Sequence, residues 1–279
     1  REWLAADPAH ARAWERVQAI TRRLGELPGE PARDALEAGD AGRRRALKAL
    51  GMLALTGVGL WASTRIAPWH YGLTADYHTG IGEIREIGLA DGTRIWLNSA
   101  TALDVAFSDS ARDLHLRSGE VLVETAADPR PLTLATVHGR LQALGTRFNV
   151  RLRESGTELA VLSGQVRARP TAGAGRVIDA GLRCRVTRDR VAAPQPHENG
   201  PAAWTRGVLI AEEMRLGEVI AELARHRHGH LGCEASVADL RVVGAFPLSD
   251  TDRALDALAG SLPVTVHRPL PWWVSVGPR

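Results

Sequence analysis

The sequence predicts a multidomain chain: a short α-helical segment, one membrane helix, an all-β portion of jelly-roll or β-solenoid type, and a C-terminal α/β module. Three observations carry that expectation. The run from Ala49 to Ala62 holds no charged residue and follows directly on Arg43, Arg44, Arg45 and Lys48. Between residues 77 and 190, short alternations of apolar and polar residues recur between Gly and Asp punctuation, the period-two mark of half-buried strands. After a proline-rich stretch at 194–201, apolar residues return twice at helical spacing, each time flanked by strand-like runs. A length of 279 residues suits one to three domains. The boundaries that follow are a helical segment at 1–24, a linker at 25–45, the membrane helix at 46–66, the β portion at 77–190, a second linker at 191–203 and the module at 204–279.

The first segment opens on a helix-start signal, Asp7-Pro8: aspartate caps free N–H groups, and proline at the first helical position forfeits no needed donor. Ala13, Val17, Ile20 and Leu24 then recur at spacings of three and four, with Trp14 beside the stripe and Trp3 and Leu4 ahead of the turn. So small a helix pair cannot bury two tryptophans by itself, although each buried ring is worth about 3–5 kcal/mol. They either complete a small bundle whose first helices precede Arg1 or line a groove for a partner, and the two alternatives are compatible. Because Arg1 falls partway into this pattern, a preceding N-terminal stretch is expected. From Gly25 to Gly42 the composition turns to Gly, Pro, Glu and Ala, which suits a linker.

The charge-free run alone would rise about 21 Å as a helix, short of a hydrocarbon core of about 30 Å. Started at Ala46, with the Lys48 ammonium turned back to the headgroups, it is long enough to cross. Trp61, Trp69 and Tyr71 gather at the far end, where amphipathic rings favour the interface, and Pro68 supplies a stop. Arg43, Arg44, Arg45 and Lys48 precede the span and only Arg65 closely follows it, so the positive-inside rule places the N-terminus in the cytoplasm and the C-terminal portion in the periplasm, a single pass of the inner membrane. A twin-arginine export signal at Arg44-Arg45 would send the same portion to the same side. A buried helix of a soluble protein is the third alternative.

Composition excludes more than it assigns. The 35 basic and 32 acidic residues nearly cancel, and no basic stripe exists outside the membrane flank, so direct nucleic-acid binding is not expected. The two cysteines, Cys184 and Cys233, make no CxxC pair; a bridge between them and two free thiols both remain open. There is no Walker loop, Rossmann fingerprint or GxSxG elbow, and no cofactor is expected.

In the β portion, Ile87 and Leu89, then Asp91-Gly92-Thr93, then Ile95 and Leu97 read as a hairpin. Leu103, Val105 and Phe107 alternate next, followed by Leu114 and Leu116. A weak repeat relates LRSGEV at 116–121 to LSGQV at 162–166, which suggests turns in a layered or folded-over β structure rather than a sheet with helical crossovers. In the module, Leu216, Val219, Ile220 and Leu223 form one helical stripe and Leu255, Leu258, Ala259 and Leu262 another, in the order β-α-β-β-α-β-β. His226, His228 and His230 invite a metal assignment, but residues two apart on a helix do not share a face. A cation near a helix C-terminus satisfies the dipole. No metal site is expected.

Several motifs carry a family resemblance. GEIREIGLADGTRIWLN at 82–98, SGEV at 118–121, RPL at 130–132 and LGTRFNV at 144–150 resemble, in order and spacing, the periplasmic domain of FecR-type transmembrane sensors, over about residues 79–186. The segment from Trp3 to Val17 resembles that family's anti-sigma segment, which implies Trp3, Leu4, Trp14 and Val17 as contacts for an extracytoplasmic-function sigma factor. LGEVIAELAR, VGAF and DRALDALA resemble the short N-terminal (STN) domain of secretins and TonB-dependent receptors. That resemblance implies docking of the periplasmic signalling domain of a TonB-dependent receptor, in siderophore or haem uptake, with edge-strand addition as the expected mode. Members of the FecR type are thought to cut themselves at Gly-Thr, which implies Gly145 as acyl donor and Thr146 as nucleophile. The chemistry is an N-to-O acyl shift through a five-membered ring followed by ester hydrolysis; the plainer alternative is a Gly-Thr turn that sets register. No other enzymatic activity is expected.

Two other classes stand beside this one. An envelope assembly or scaffold protein using an STN-like module would lack sigma binding and would tolerate loss of residues 1–42. An exported hydrolase with a β-sandwich site would need carboxylates such as Glu83, Glu120 and Glu124, which turns and solvated strand faces account for.

Overall fold

The structure, a computed structural model, describes residues 74–197, 200 and 202–279. Expectations for Trp3, Leu4, Trp14 and Val17, for Arg43, Arg44, Arg45 and Lys48, and for the membrane helix at 46–66 lie outside the described residues. Among the described residues no helix is long and apolar enough to cross a membrane.

Twelve strands form one sheet: β1 (Tyr77–His78), β2 (Arg85–Gly88), β3 (Arg94–Leu97), β4 (Ala102–Phe107), β5 (Arg112–Ser118), β6 (Glu120–Glu124), β7 (Leu132–Thr136), β8 (Gly139–Arg153), β9 (Gly156–Pro170), β10 (Arg176–Asp179), β11 (Leu182–Val186) and β12 (Gln195–Pro196). The β2–β3 hairpin turns at Asp91-Gly92, with Ile87 opposite Ile95. Gly92 takes φ +87°. The Asp91 carboxylate accepts from the Thr93 amide at 3.0 Å and the Thr93 hydroxyl at 2.7 Å, the side-chain turn mimicry that makes Asp a turn residue.

The two long strands determine the shape. The first half of β8 pairs with β7, Leu132 opposite Ala143; its second half pairs with β6, from Glu120 opposite Arg151 to Glu124 opposite Arg147. β9 runs antiparallel to β8 throughout and passes from β11 at Thr157–Ala160 to β10 at Gln165–Ala168. The change of neighbours falls where the β8–β9 register slips, between Leu144 and Arg147. Such a bulge bends and twists a strand, so the sheet folds over there. It closes around one core in which Ile95, Leu103, Leu116, Leu134, Phe148 and Ile178 are fully buried. Strands are what the alternating pattern predicts, and a folded-over β structure is what the Ser-Gly repeat suggests. The parallel pair β5–β7 is joined through β6, with no helix between. The Ser-Gly repeat has a different meaning from the two turns expected: Gly119 stands between β5 and β6, but Gly164 lies inside β9.

After a 3-10 turn at Ala203–Arg206 come β13 (Val208–Arg215), α1 (Leu216–Ala224), β14 (His230–Cys233), β15 (Arg241–Pro247), α2 (Thr251–Ser261), β16 (Val264–Leu270) and β17 (Trp273–Pro278). β13 and β15 form a two-stranded antiparallel sheet. β17 pairs in parallel with β14 and antiparallel with β16. Helix α1 buries Leu216, Val219, Ile220 and Leu223, and α2 begins at an Asp250 cap whose carboxylate accepts from the Arg253 amide at 2.9 Å.

The second apolar cluster crosses from this module to the sheet. Leu122 is fully buried in it with Trp204 and the α1 stripe, and Ile84, Trp96 and Leu162 pack against it. Val121 and Val123 face the first core, so β6 is buried on both faces.

Candidate functional site

Where the module meets the sheet, the polar groups converge on Glu120 at the start of β6. One carboxylate oxygen accepts from Asn149 Nδ2 at 2.9 Å; the other accepts from Asn98 Nδ2 at 2.9 Å and from Arg225 Nη1 at 2.7 Å. Asn149 Oδ1 in turn accepts from Trp204 Nε1 at 3.1 Å. Arg225, just past the end of α1, also reaches Glu222 at 3.1 Å, and Glu222 pairs with Arg151 of β8. Ser99 ties the neighbouring loop to both sides: its hydroxyl accepts from the Gly82 amide at 2.9 Å and donates to the Arg225 carbonyl. An open cleft of about 1110 Å³ borders the junction, with Arg151, Arg183, Arg185, Ile210 and Glu213 among its lining residues.

Burial disfavours every charge here, so each must be compensated. For Glu222, burial pushes the carboxyl up, and the Arg151 and Arg225 guanidiniums more than reverse this, leaving it below the ordinary carboxylate range. For Arg225, burial weakens the cation while Glu120 and Glu222 hold it, with a net rise. For His226 the compensation falls short: burial, then the neighbouring Arg225 charge, pull it down to about 4, and Glu222 and Glu120 only partly oppose them. It is therefore neutral at neutral pH, so the cation expected at the end of α1 is Arg225 and not this histidine. Of the other two histidines, His228 is exposed and His230 stacks on Trp273, with ring centroids 4.2 Å apart.

The second feature lies at the other end of the same β6–β8 pair. Gly145 is exposed at φ +70°, a left-handed conformation in which a side chain is strained, while Thr146 is buried. The Thr146 hydroxyl is buried with no hydrogen-bond partner. Its backbone is held by Thr125, which lies just beyond β6: the Thr146 amide donates to the Thr125 hydroxyl at 2.9 Å, and the Thr146 carbonyl accepts from the Thr125 amide at 3.0 Å and from its hydroxyl at 3.1 Å. Across the ladder stands Gly164 at φ +73°. A Cβ there would meet the Gly145 carbonyl oxygen inside contact distance and the Thr146 methyl at 2.9 Å. The peptide at 145–146 thus lies so close to the Gly164 backbone that only glycine fits there, is gripped by Thr125 on the other side, and carries an orphan hydroxyl.

Residues 75–167 match the family model described as FecR protein. That stretch is similar to a FecR domain. Two crystal structures of a proposed anti-sigma factor from Parabacteroides distasonis are similar to the chain at 18% identity, with TM-scores of 0.61 and 0.62. Each alignment covers 73% of this chain and 98% of the other. That share is longer than β1 to β12, so the common fold extends past the FecR domain into the C-terminal module. None of the curated proteins compared with the chain matches it.

Asn98, Glu120 and Asn149 each sit within a motif that carries the FecR resemblance, and the structure brings all three to one carboxylate. The sequence reading missed this and left Glu120 on a solvated turn; the side chain is in fact buried, with three donors around it. One signal was present. Val121, Leu122 and Val123 form an unbroken apolar run, which marks a strand covered on both faces. Trp204, Arg225, Thr125 and Gly164 carry no local signal, because their roles depend on partners far along the chain. Both cysteines are free, Cys184 buried with its thiol pushed up to about 11 by desolvation, and Cys233 half-buried.

Proposed function

We propose that the chain is a FecR-type regulator of an extracytoplasmic-function sigma factor, crossing the inner membrane once. The observation that carries this is the FecR domain at 75–167, in a fold shared with a proposed anti-sigma factor over most of that protein's length. The run of Arg43, Arg44 and Arg45 before an apolar stretch supports a cytoplasmic N-terminus and a periplasmic C-terminus. The STN resemblance of residues 204–279 supports a receiving role for the module, its partner the periplasmic signalling domain of a TonB-dependent transporter. Glu120, Asn149, Arg225 and Trp204 join module to sheet, so a partner that shifts the module acts on β6 and β8. Those strands lead to Gly145-Thr146, where an unhindered glycine carbonyl and an unpartnered hydroxyl favour an acyl shift that cuts the chain. Proteolysis then releases the cytoplasmic segment to act on the sigma factor. No cofactor, nucleic-acid contact or further enzymatic step enters this scheme.

Co-purification of the full-length protein with extracytoplasmic-function sigma factors of its own cell tests the partner. Wild type retains one of them, and Trp14→Ala weakens the complex about 30-fold or more, the loss of an aromatic anchor of about 2 kcal/mol. Retention of none, together with unchanged sigma-dependent transcription when the gene is deleted, rejects the proposal. Intact masses test the cut: wild type yields a fragment ending at Gly145, and Thr146→Ala yields none.

A further inference from the structure

We propose that Thr125 supplies the proton to the nitrogen of the Gly145–Thr146 bond when the Thr146 hydroxyl attacks it, an inference that rests on the self-cleavage proposed above. The Thr125 hydroxyl is the side-chain group in contact with that nitrogen, 2.9 Å away, and it also donates to the Thr146 carbonyl at 3.1 Å. The nucleophile, by contrast, has no hydrogen-bond partner at all. The hydroxyl of Thr146 is therefore free to turn onto the carbonyl carbon, and the machinery of the site is gathered around the leaving group instead.

An amide nitrogen departs as an amine only when it is protonated, so this is the step that needs a donor. Thr146 Oγ1 adds to the Gly145 carbonyl carbon. As the carbon–nitrogen bond breaks, the nitrogen becomes basic, and Thr125 turns its proton from the Thr146 carbonyl to that nitrogen. Thr125 regains a proton from solvent, which receives the one lost by Thr146 Oγ1. In net terms one carbon–oxygen bond replaces one carbon–nitrogen bond and one proton moves from oxygen to nitrogen. Water then hydrolyses the ester, leaving a carboxylate on Gly145 and restoring the Thr146 hydroxyl. The route for solvent is present: an open groove of about 320 Å³ is lined by Thr125, Asp128, Gln142, Leu144 and Gly145. Bulk near the peptide is minimal, since Gly145 has open space where a Cβ would stand.

The test follows cleavage of the full-length protein in time, by mass and by fragment staining, for wild type, Thr146→Ala, Thr125→Val and Thr125→Ser. Wild type cuts and Thr146→Ala does not. Thr125→Val, which keeps the shape and removes the hydroxyl, slows on the order of 100-fold, the contribution usual for a positioned proton donor. Thr125→Ser, which keeps the hydroxyl, stays within a few-fold of wild type. Hydroxylamine, which captures esters, speeds the wild-type cut but fails to rescue Thr125→Val, because that variant is blocked before the ester forms. Thr125→Val cutting at the wild-type rate overturns the proposal and leaves self-cleavage standing; so does rescue of that variant by hydroxylamine. Should Thr125→Val fail to fold, the serine variant decides alone: a rate near wild type supports the relay, and a rate as low as that of Thr146→Ala overturns it. An uncut wild type removes self-cleavage itself.

Discussion

The two ends of the β6–β8 pair differ in how fully their polar groups are satisfied. At Glu120 both carboxylate oxygens are occupied, by Asn98, Asn149 and Arg225. A few residues along the same ladder, the buried Thr146 hydroxyl has nothing. A satisfied buried network fixes one geometry and resists change, whereas an orphan group stores unfavourable free energy and is free to react. The contrast assigns holding to one end and chemistry to the other.

The largest effect is expected where the Gly164 backbone meets the 145–146 peptide. Gly164→Ala would place a Cβ on the Gly145 carbonyl at a left-handed φ, so strain of about 1–2 kcal/mol adds to overpacking of about 1–3 kcal/mol. Urea denaturation of the portion from residue 74 onward, kept uncut, should show a loss of about 3 kcal/mol. A loss under about 1 kcal/mol would mean that the bulge yields easily and stores little strain.

At the satisfied end, Glu120→Gln should cost about 3 kcal/mol. All three neighbours are donors, so whichever way the new amide turns, its NH2 group faces another N–H. Arg225 keeps only Glu222 as an anionic partner. An unchanged urea midpoint would show that the junction is not what holds the module.

Acid should act first beside that end, at His226, whose buried Nδ1 lacks a hydrogen-bond partner. The folded pKa of His226 lies below its unfolded value, so the unfolded chain binds a proton that the folded chain refuses. The contribution of a neutral His226 is fully present above about pH 6.5 and is lost as pH falls toward about 4. Arg225 and Arg151 oppose its protonation, and Glu222 and Glu120 favour it. His226→Gln should flatten the pH dependence of stability across that window; an unaltered slope would place the acid-sensitive group elsewhere. Glu222 adds a loss at still lower pH, its folded pKa being depressed.

The comparison predicts opposite signs for removing a polar atom. Thr146→Val takes away an unpaired buried hydroxyl and keeps the branched shape, so the uncut unit should gain about 1 kcal/mol. A loss there would mean that the hydroxyl has a partner, such as an ordered water, and the contrast with Glu120 would fail.

Local chemistry was legible in the sequence; long-range pairing was not. The Asp91-Gly92 hairpin, the alternation of Leu114 and Leu116, and the stripes of α1 and α2 follow from periods of two and 3.6, which any short window reveals. The pairing of Glu120 with Arg225 spans a separation of 105 residues, and no local pattern encodes it. Gly145-Thr146 could be singled out by its chemistry, but the orphaned hydroxyl and the close approach of Gly164 arise from the register of β8 against β9. His226 stays neutral for a physical reason as well: it is buried, and the Arg225 guanidinium already supplies the cation at that helix end and opposes a second one.

The smallest expected effect isolates position from motif. Gln165 occupies in LSGQV the place that Glu120 occupies in LRSGEV, each following a glycine at positive φ. Yet Gln165 is exposed, and its amide donates only to Asp179, at 2.7 Å. A surface hydrogen bond exchanges readily with water, so Gln165→Ala should shift stability by less than about 0.5 kcal/mol. If it costs as much as Glu120→Gln, the repeat itself bears the load through its turn geometry, and the convergence of Asn98, Asn149 and Arg225 on one carboxylate ceases to explain why the module stays in place. If it is silent, the two copies of one local pattern differ only in what the fold has placed beside them.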